Sequence, residues 1–171
     1  LTDHIDAVKA FTQSDVDHLI YVEMPEGFGV DGYVLRLQKA LEGIKQGAYL
    51  WFQHNKAAWE RLGFKSWANE PNLYLHPRLG IRVGVFADDI LVGFPEGYKE
   101  DYLNIKRAYA GIIQIDTTSI SPALKFTGVQ ISRNMAEGTL TIRQHRYIEQ
   151  LAEEYKGQFE DQETPFGVSK E

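Results

Sequence analysis

The chain has 171 residues, 43% hydrophobic and 25% charged, with a net charge of −6. That is the composition of one folded domain with room for a core, and its acid excess argues against a simple nucleic-acid-binding module, which is usually basic. There are no cysteines, which excludes disulfides and Cys-ligated zinc.

No apolar run approaches the ~20 residues needed to cross a bilayer, so no membrane partner is expected. Charge is unevenly spread. Residues 1–32 carry seven acidic and one basic group, residues 33–82 three and eight, residues 83–148 seven of each, and residues 149–171 seven and two. Chance clustering of solvated side chains explains a basic middle between acidic ends as readily as a binding face does. Leu1-Thr2-Asp3-His4 reads as neither a signal peptide nor an initiator Met, and predicts a piece of something longer.

Alternation predicts a first strand up to about Val8, with Asp6 a lone carboxylate near its centre. A second strand runs from Leu19 to Met24 and stops at Pro25. Three glycines between Glu26 and Gly32 make a loop, and Tyr33–Leu37 alternates as a strand. Ala48 to Leu62 has helical spacing, with Gly63 as a C-cap. Leu73–His76 is a strand. Tyr98–Gly111 predicts a second helix. Lys125–Ile131 and Thr139–Ile142 predict an antiparallel pair, and Gln144–Tyr155 a third helix whose Tyr147, Ile148, Leu151 and Tyr155 stripe is expected to pack. The tail from Lys156 is acidic, broken by Pro165 and Gly167, and expected to be loosely held. Strands and helices mix around an antiparallel core, an α+β pattern.

The stretch that organises the chain is Val83–Phe94. Asp88 and Asp89 sit between two apolar runs, each a short buried strand, so the pair is expected in a tight hairpin turn. Asp is common in turns, and a polar turn is the plain reading. Yet two carboxylates held close repel, and a divalent cation such as Mg²⁺, which takes one or two carboxylates and leaves room for water and phosphates, would offset that. His4, His18, His54, His76 and His145 show no zinc spacing.

Phe86-Ala87-Asp88-Asp89 between apolar strands resembles the polymerase signature of reverse transcriptases. The surrounding order resembles the copia-type retrotransposon branch. Asp6-Ala7-Val8-Lys9-Ala10-Phe11 is similar to the first catalytic block, a carboxylate with Ala-Phe four and five residues on. Ile20–Phe28 resembles an Ile-Tyr-Met-x-Gln-Pro-x-Gly-Phe segment, and Leu35–Gln46, reaching Trp51, an Arg-Leu-x-Lys-x-Leu-x-Gly-Leu-Lys-Gln block. Leu62-Gly63-Phe64, Glu70–Tyr74, Phe126–Val129, Tyr147-Ile148-Glu149 and Thr164-Pro165 follow in order. Any one motif is weak; the ordered series is strong. Three departures stand out. Ala87 replaces a Val- or Met-like residue. Gly47-Ala48-Tyr49 replaces Ala-Pro-Arg after Gln46. The chain opens at the first catalytic Asp, so the fingers region is missing.

The resemblance implies a polymerase palm over residues 1–143, an antiparallel sheet packed on helices, and the start of a thumb or connection over 144–171. It implies an RNA-directed DNA polymerase using two metals ~3.5–4 Å apart, Mg²⁺ or Mn²⁺, held by Asp6, Asp88 and Asp89. Phe11, beside Ala10, would lie beneath the incoming sugar and favour dNTPs. Gln46 and Gly47 would meet the nucleotide, and Lys45 would reach phosphate or template. The implied partners are an RNA/DNA template-primer, dNTPs, an upstream fingers region and other polyprotein domains, in cytoplasmic virus-like particles and/or the nucleus. The alternative is a truncated or domesticated, catalytically inactive palm that binds metal or partners. An unrelated α+β metal-dependent phosphotransferase fits the ordered motifs poorly.

Overall fold

The computed structural model describes residues 1–116, 120 and 123–156. Its centre is a six-stranded, fully antiparallel sheet in the order β4-β5-β6-β7-β1-β8. These strands are β1 (Thr2–Ala7), β4 (Lys65–Trp67), β5 (Glu70–Leu75), β6 (Arg82–Phe86), β7 (Asp89–Gly93) and β8 (Ile115–Asp116). Two helices, α1 (Gly47–Arg61) and α2 (Lys99–Ala110), supply its cover. The observed class is the expected α+β one.

Strand alternation decides which face they cover. Along β1, Asp3, Ile5 and Ala7 are buried while Thr2, His4 and Asp6 are half-buried. Val83, Ile90 and Val92 join Ile5 in one buried cluster with Trp51, Ala58 and Trp59 of α1 and Tyr102 and Tyr109 of α2. Trp59 stacks on Tyr109 at 4.2 Å between ring centroids and meets Phe64 edge-on at 5.1 Å. The Tyr109 hydroxyl donates to Asn55 Oδ1 at 2.8 Å, so the phenol is satisfied inside the core. Phe94 stacks on Tyr102 at 4.2 Å.

Asp3 is a carboxylate inside this core. It accepts from the Tyr102 hydroxyl, from Lys106 Nζ at 2.7 Å and from the His4 backbone N–H at 2.9 Å, which satisfies a charge that could not otherwise be buried. Burial, and then Asp3 itself, holds the Tyr102 phenol far above its ordinary range.

α1 ends as its sequence predicts. Gly63 takes φ +88°, its N–H donates to Glu60 O at 3.0 Å, and the Phe64 N–H donates to Trp59 O at 3.1 Å. That pair of bonds closes the helix through a left-handed glycine.

The structure corrects several expectations. The second and third strands shrink to β2 (Tyr21–Val22) and β3 (Leu35–Arg36), paired only with each other and largely exposed. The strand expected over Lys125–Ile131 is two strands, β9 (Ala123–Phe126) and β10 (Val129–Asn134). Thr127 and Gly128 both take positive φ, 49° and 83°, and so form the tight hairpin turn that reverses the chain between them. With β11 (Thr139–Arg143) they make a separate three-stranded sheet. β4 and β8 were not expected. The stripe on α3 (His145–Glu154) does not pack: Tyr147 and Ile148 are exposed and Leu151 only half-buried. Thr164-Pro165 and the tail from 157 lie outside the described residues. No helix among the described residues is long and apolar enough to cross a membrane.

Candidate active site

The face of the sheet opposite the helices carries the carboxylates. Asp6 and Asp89 are direct partners across β1 and β7. Side chains of directly opposed residues point to the same face, about 4.5–5.5 Å apart at Cβ. Asp116 of β8 opposes Asp6 from the other side. The hairpin turn is shifted by one residue from expectation. It consists of Ala87 and Asp88, while Asp89 already belongs to β7, opposite Phe86. Because neither turn residue is Gly or Asn, Ala87 itself supplies the positive φ, at 52°.

The electrostatics follow from that placement. Burial, and then the neighbouring Asp88 and Asp89, push the Asp6 carboxyl above its ordinary range; Asp116 adds to this and His4 opposes it. Asp89 is held from two sides. His4 Nε2 lies 2.9 Å from its Oδ1, and the Thr127 backbone N–H donates to its Oδ2 at 2.9 Å. The first contact joins neighbouring strands on one face. The second bridges from the three-stranded sheet.

Asp88 is exposed in the turn, with its carbonyl accepting from the Ala7 N–H at 3.0 Å. Phe11 is half-buried and packs on the core. It lines a cavity of about 340 Å³ with Trp51, Asn55, Tyr74, Phe86 and Ala87, beside the turn. Ala10 is buried. Gly47 is also buried, and a Cβ there would lie 2.9 Å from Leu41 O and 3.8 Å from Phe11 Cδ1. Its smallness therefore serves the chain's own backbone. Gln46 donates to His18 Nε2 at 2.7 Å, and Lys45 is exposed in the loop ahead of α1.

The structure thus brings together Asp6, Asp88 and Asp89, with Phe11 beside the turn. It engages Gln46 with His18. The sequence reading missed His4, Asp116 and Thr127. His4 and Asp6 are two residues apart on one strand, so the period-2 rule places them on one face. Asp116 and Thr127 arrive through tertiary pairing that no local pattern shows.

The oxygen donors suit a hard divalent cation. Among the described residues, no group of three or more His, Asp or Glu side chains stands as a ready-made metal cage. Mg²⁺ does not need one, because one or two carboxylates with substrate phosphates suffice. The opposed Asp6–Asp89 pair and its mutual repulsion fit that demand.

A helix-backed antiparallel sheet with paired carboxylates on its other face defines an α+β domain. The profile described as reverse transcriptase (RNA-dependent DNA polymerase) matches residues 1–164, and the chain belongs to that family, in its copia-type retrotransposon branch. It is similar to the transposon Ty5-1 protein of Saccharomyces cerevisiae, 28% identical over 97% of this chain and 54% of the relative. It is also similar to the Pol polyprotein from transposon TNT 1-94 of Nicotiana tabacum, 27% identical over 90% of this chain and 12% of the relative. A third relative, the Pol polyprotein from transposon RE2 of Arabidopsis thaliana, is 32% identical over 52% of this chain and 6% of its own length. The chain therefore spans about half the length of the yeast relative and a small part of the plant polyproteins.

Proposed function

We propose that this chain is the palm of an RNA-directed DNA polymerase, adding dNTPs to a primer 3′-hydroxyl on an RNA or DNA template. The observation that carries the reading is the register that sets Asp6 opposite Asp89, with Asp88 in the adjoining turn, on the sheet face the helices leave open. Asp6, Asp88 and Asp89 would hold Mg²⁺ or Mn²⁺, which when bound would supply a Lewis acid for the attacking hydroxyl and the leaving pyrophosphate. The chain's own residues orient that set: His4 and the Thr127 N–H fix Asp89. Phe11, beside the turn, limits the space for a sugar 2′-hydroxyl. The basic stretch of residues 33–82, with Lys45, lies along the template-primer backbone and makes binding salt-sensitive.

Residues 1–143 form the palm and residues 144–171 begin a thumb or connection. A fingers region and other polyprotein domains complete the enzyme, which works in cytoplasmic virus-like particles and/or the nucleus. The plant relatives' description as Pol polyproteins supports the further polyprotein domains.

One observation favours the second reading, an inactive palm kept as a binding module. Gln46, the residue assigned to the nucleotide, is engaged with His18. Primer extension on an RNA template with dNTPs and Mg²⁺ or Mn²⁺ decides between them, with the Asp88→Asn/Asp89→Asn protein as control. Extension that the control lacks supports the polymerase. Extension undiminished in the control overturns the assigned site. No extension, even with the upstream region restored, favours the binding module.

A further inference from the structure

The turn that carries Asp88 is held from the helix side as well as from the sheet. Trp51 lies in the second turn of α1 and is buried. Its indole N–H donates to the Ala87 carbonyl at 2.7 Å. Ala87 has φ 52°, which costs a residue with a Cβ roughly 1–2 kcal/mol. Such a conformation persists only where its surroundings over-determine it. Packing does not do that here. Ala87 is exposed, and the cavity shared by Phe11, Asn55 and Phe86 lies on this side of the turn. The hydrogen bond, together with the hairpin register that pairs Phe86 with Asp89, fixes the peptide between Ala87 and Asp88. The next carbonyl, that of Asp88, is fixed by the Ala7 N–H.

Trp59, two turns further along the same helix, makes the contrast. It is as deeply buried and packs on three rings, yet its Nε1 has no hydrogen-bond partner among the described residues. Burial of an indole in this core does not by itself produce a bond. The bond from Trp51 is a specific match of donor to turn.

We infer that Trp51 is a positioning residue for Asp88. By holding the Ala87 carbonyl it sets the plane of the 87–88 peptide, and with it the direction in which the Asp88 carboxylate leaves the turn. This role rests on the polymerase reading above, in which Asp88 holds metal.

The test uses two variants and two readouts. Trp51→Phe keeps an aromatic ring and deletes the donor. Replacement of Trp51 by L-3-benzothienylalanine keeps the bicyclic shape and deletes only the N–H, which guards against a packing defect in the first variant. Mn²⁺ is added to the protein without nucleic acid, and the paramagnetic broadening of the Asp88 and Asp89 amide signals is followed by NMR. The expected result is a Mn²⁺ affinity weakened about tenfold in both variants, the lower end of the loss seen when a supporting contact to a metal ligand is removed. In primer extension the expected result is kcat lowered about tenfold with KM for dNTP unchanged, the signature of an interaction that matters in the transition state. Mn²⁺ broadening and kcat unchanged from wild type in the benzothienyl variant would overturn the positioning role and leave the polymerase reading intact. Wild-type Asp88 signals untouched by Mn²⁺ would overturn the metal reading and this role with it.

Discussion

The two faces of the six-stranded sheet are made from alternate residues of the same strands, and they answer to different demands. The covered face joins Ile5, Val83, Ile90 and Val92 to Trp59, Tyr102 and Tyr109, and its charged group, Asp3, is surrounded by donors. The open face opposes Asp6 to Asp89 and brings Asp88 and Asp116 to bear on the same carboxyl. One face gains stability from each group it buries. The other accumulates like charge, which disfavours the fold unless a cation is present. One strand can serve both because a shift of a single residue changes the face.

Because of that division, substitutions on the two faces move different observables. Trp59→Ala removes the ring that stacks on Tyr109 and is expected to cost about 3–5 kcal/mol. That lowers the melting temperature by about 10 °C, read by calorimetry. Asp89→Asn, on the other face, is expected to reduce primer extension at least about a hundredfold, while the urea midpoint stays nearly unchanged. A large stability loss there would mean the open face also holds the fold together. Tyr102→Phe deletes a hydrogen bond to the buried Asp3 carboxylate, expected to cost about 1.5–3 kcal/mol in a urea titration with extension preserved.

The smallest effect has the opposite sign. The Asp6 carboxyl is raised in the folded chain, so between the ordinary carboxyl range and its raised value the native state binds the proton more tightly than the unfolded state. The stability this gives is present at low pH and is lost as pH rises through the raised value. Asp6→Asn is expected to flatten that slope in the range just above the ordinary carboxyl pKa of about 4. It should leave the protein slightly more stable at neutral pH while abolishing extension. A less stable Asp6→Asn protein at neutral pH would mean that the carboxylate makes a favourable contact outweighing its repulsions.

What the sequence disclosed follows the range of the interactions involved. The Asp88-Asp89 pair between apolar runs and the Gly63 cap are local features, and both were readable. The turn itself slipped by one residue because Ala87 has no left-handed preference, and only Trp51 and the strand register hold it there. The split of β9 from β10 is hidden in the sequence because the apolar residues on either side of Thr127-Gly128 read as one run. The stripe on α3 has the periodicity of a buried face and lies largely exposed, because periodicity shows that a helix has a face and not what covers it. Asp116 and Asp6 are joined by strand pairing across a long sequence separation.

The bond from position 127 to Asp89 has a bearing on how variants of this chain will read out. Its donor is the main chain, so no side chain encodes it. An alanine scan will pass over Thr127 as tolerant, and a Gly or Asn, at ease with positive φ, will look better than the native residue. Only proline erases the donor, and its ring also forbids the backbone angle found there. The address of this contact is therefore stored in the backbone of the β9–β10 turn rather than in any letter. Thr127→Pro should disturb Asp89 more than any other substitution at that position.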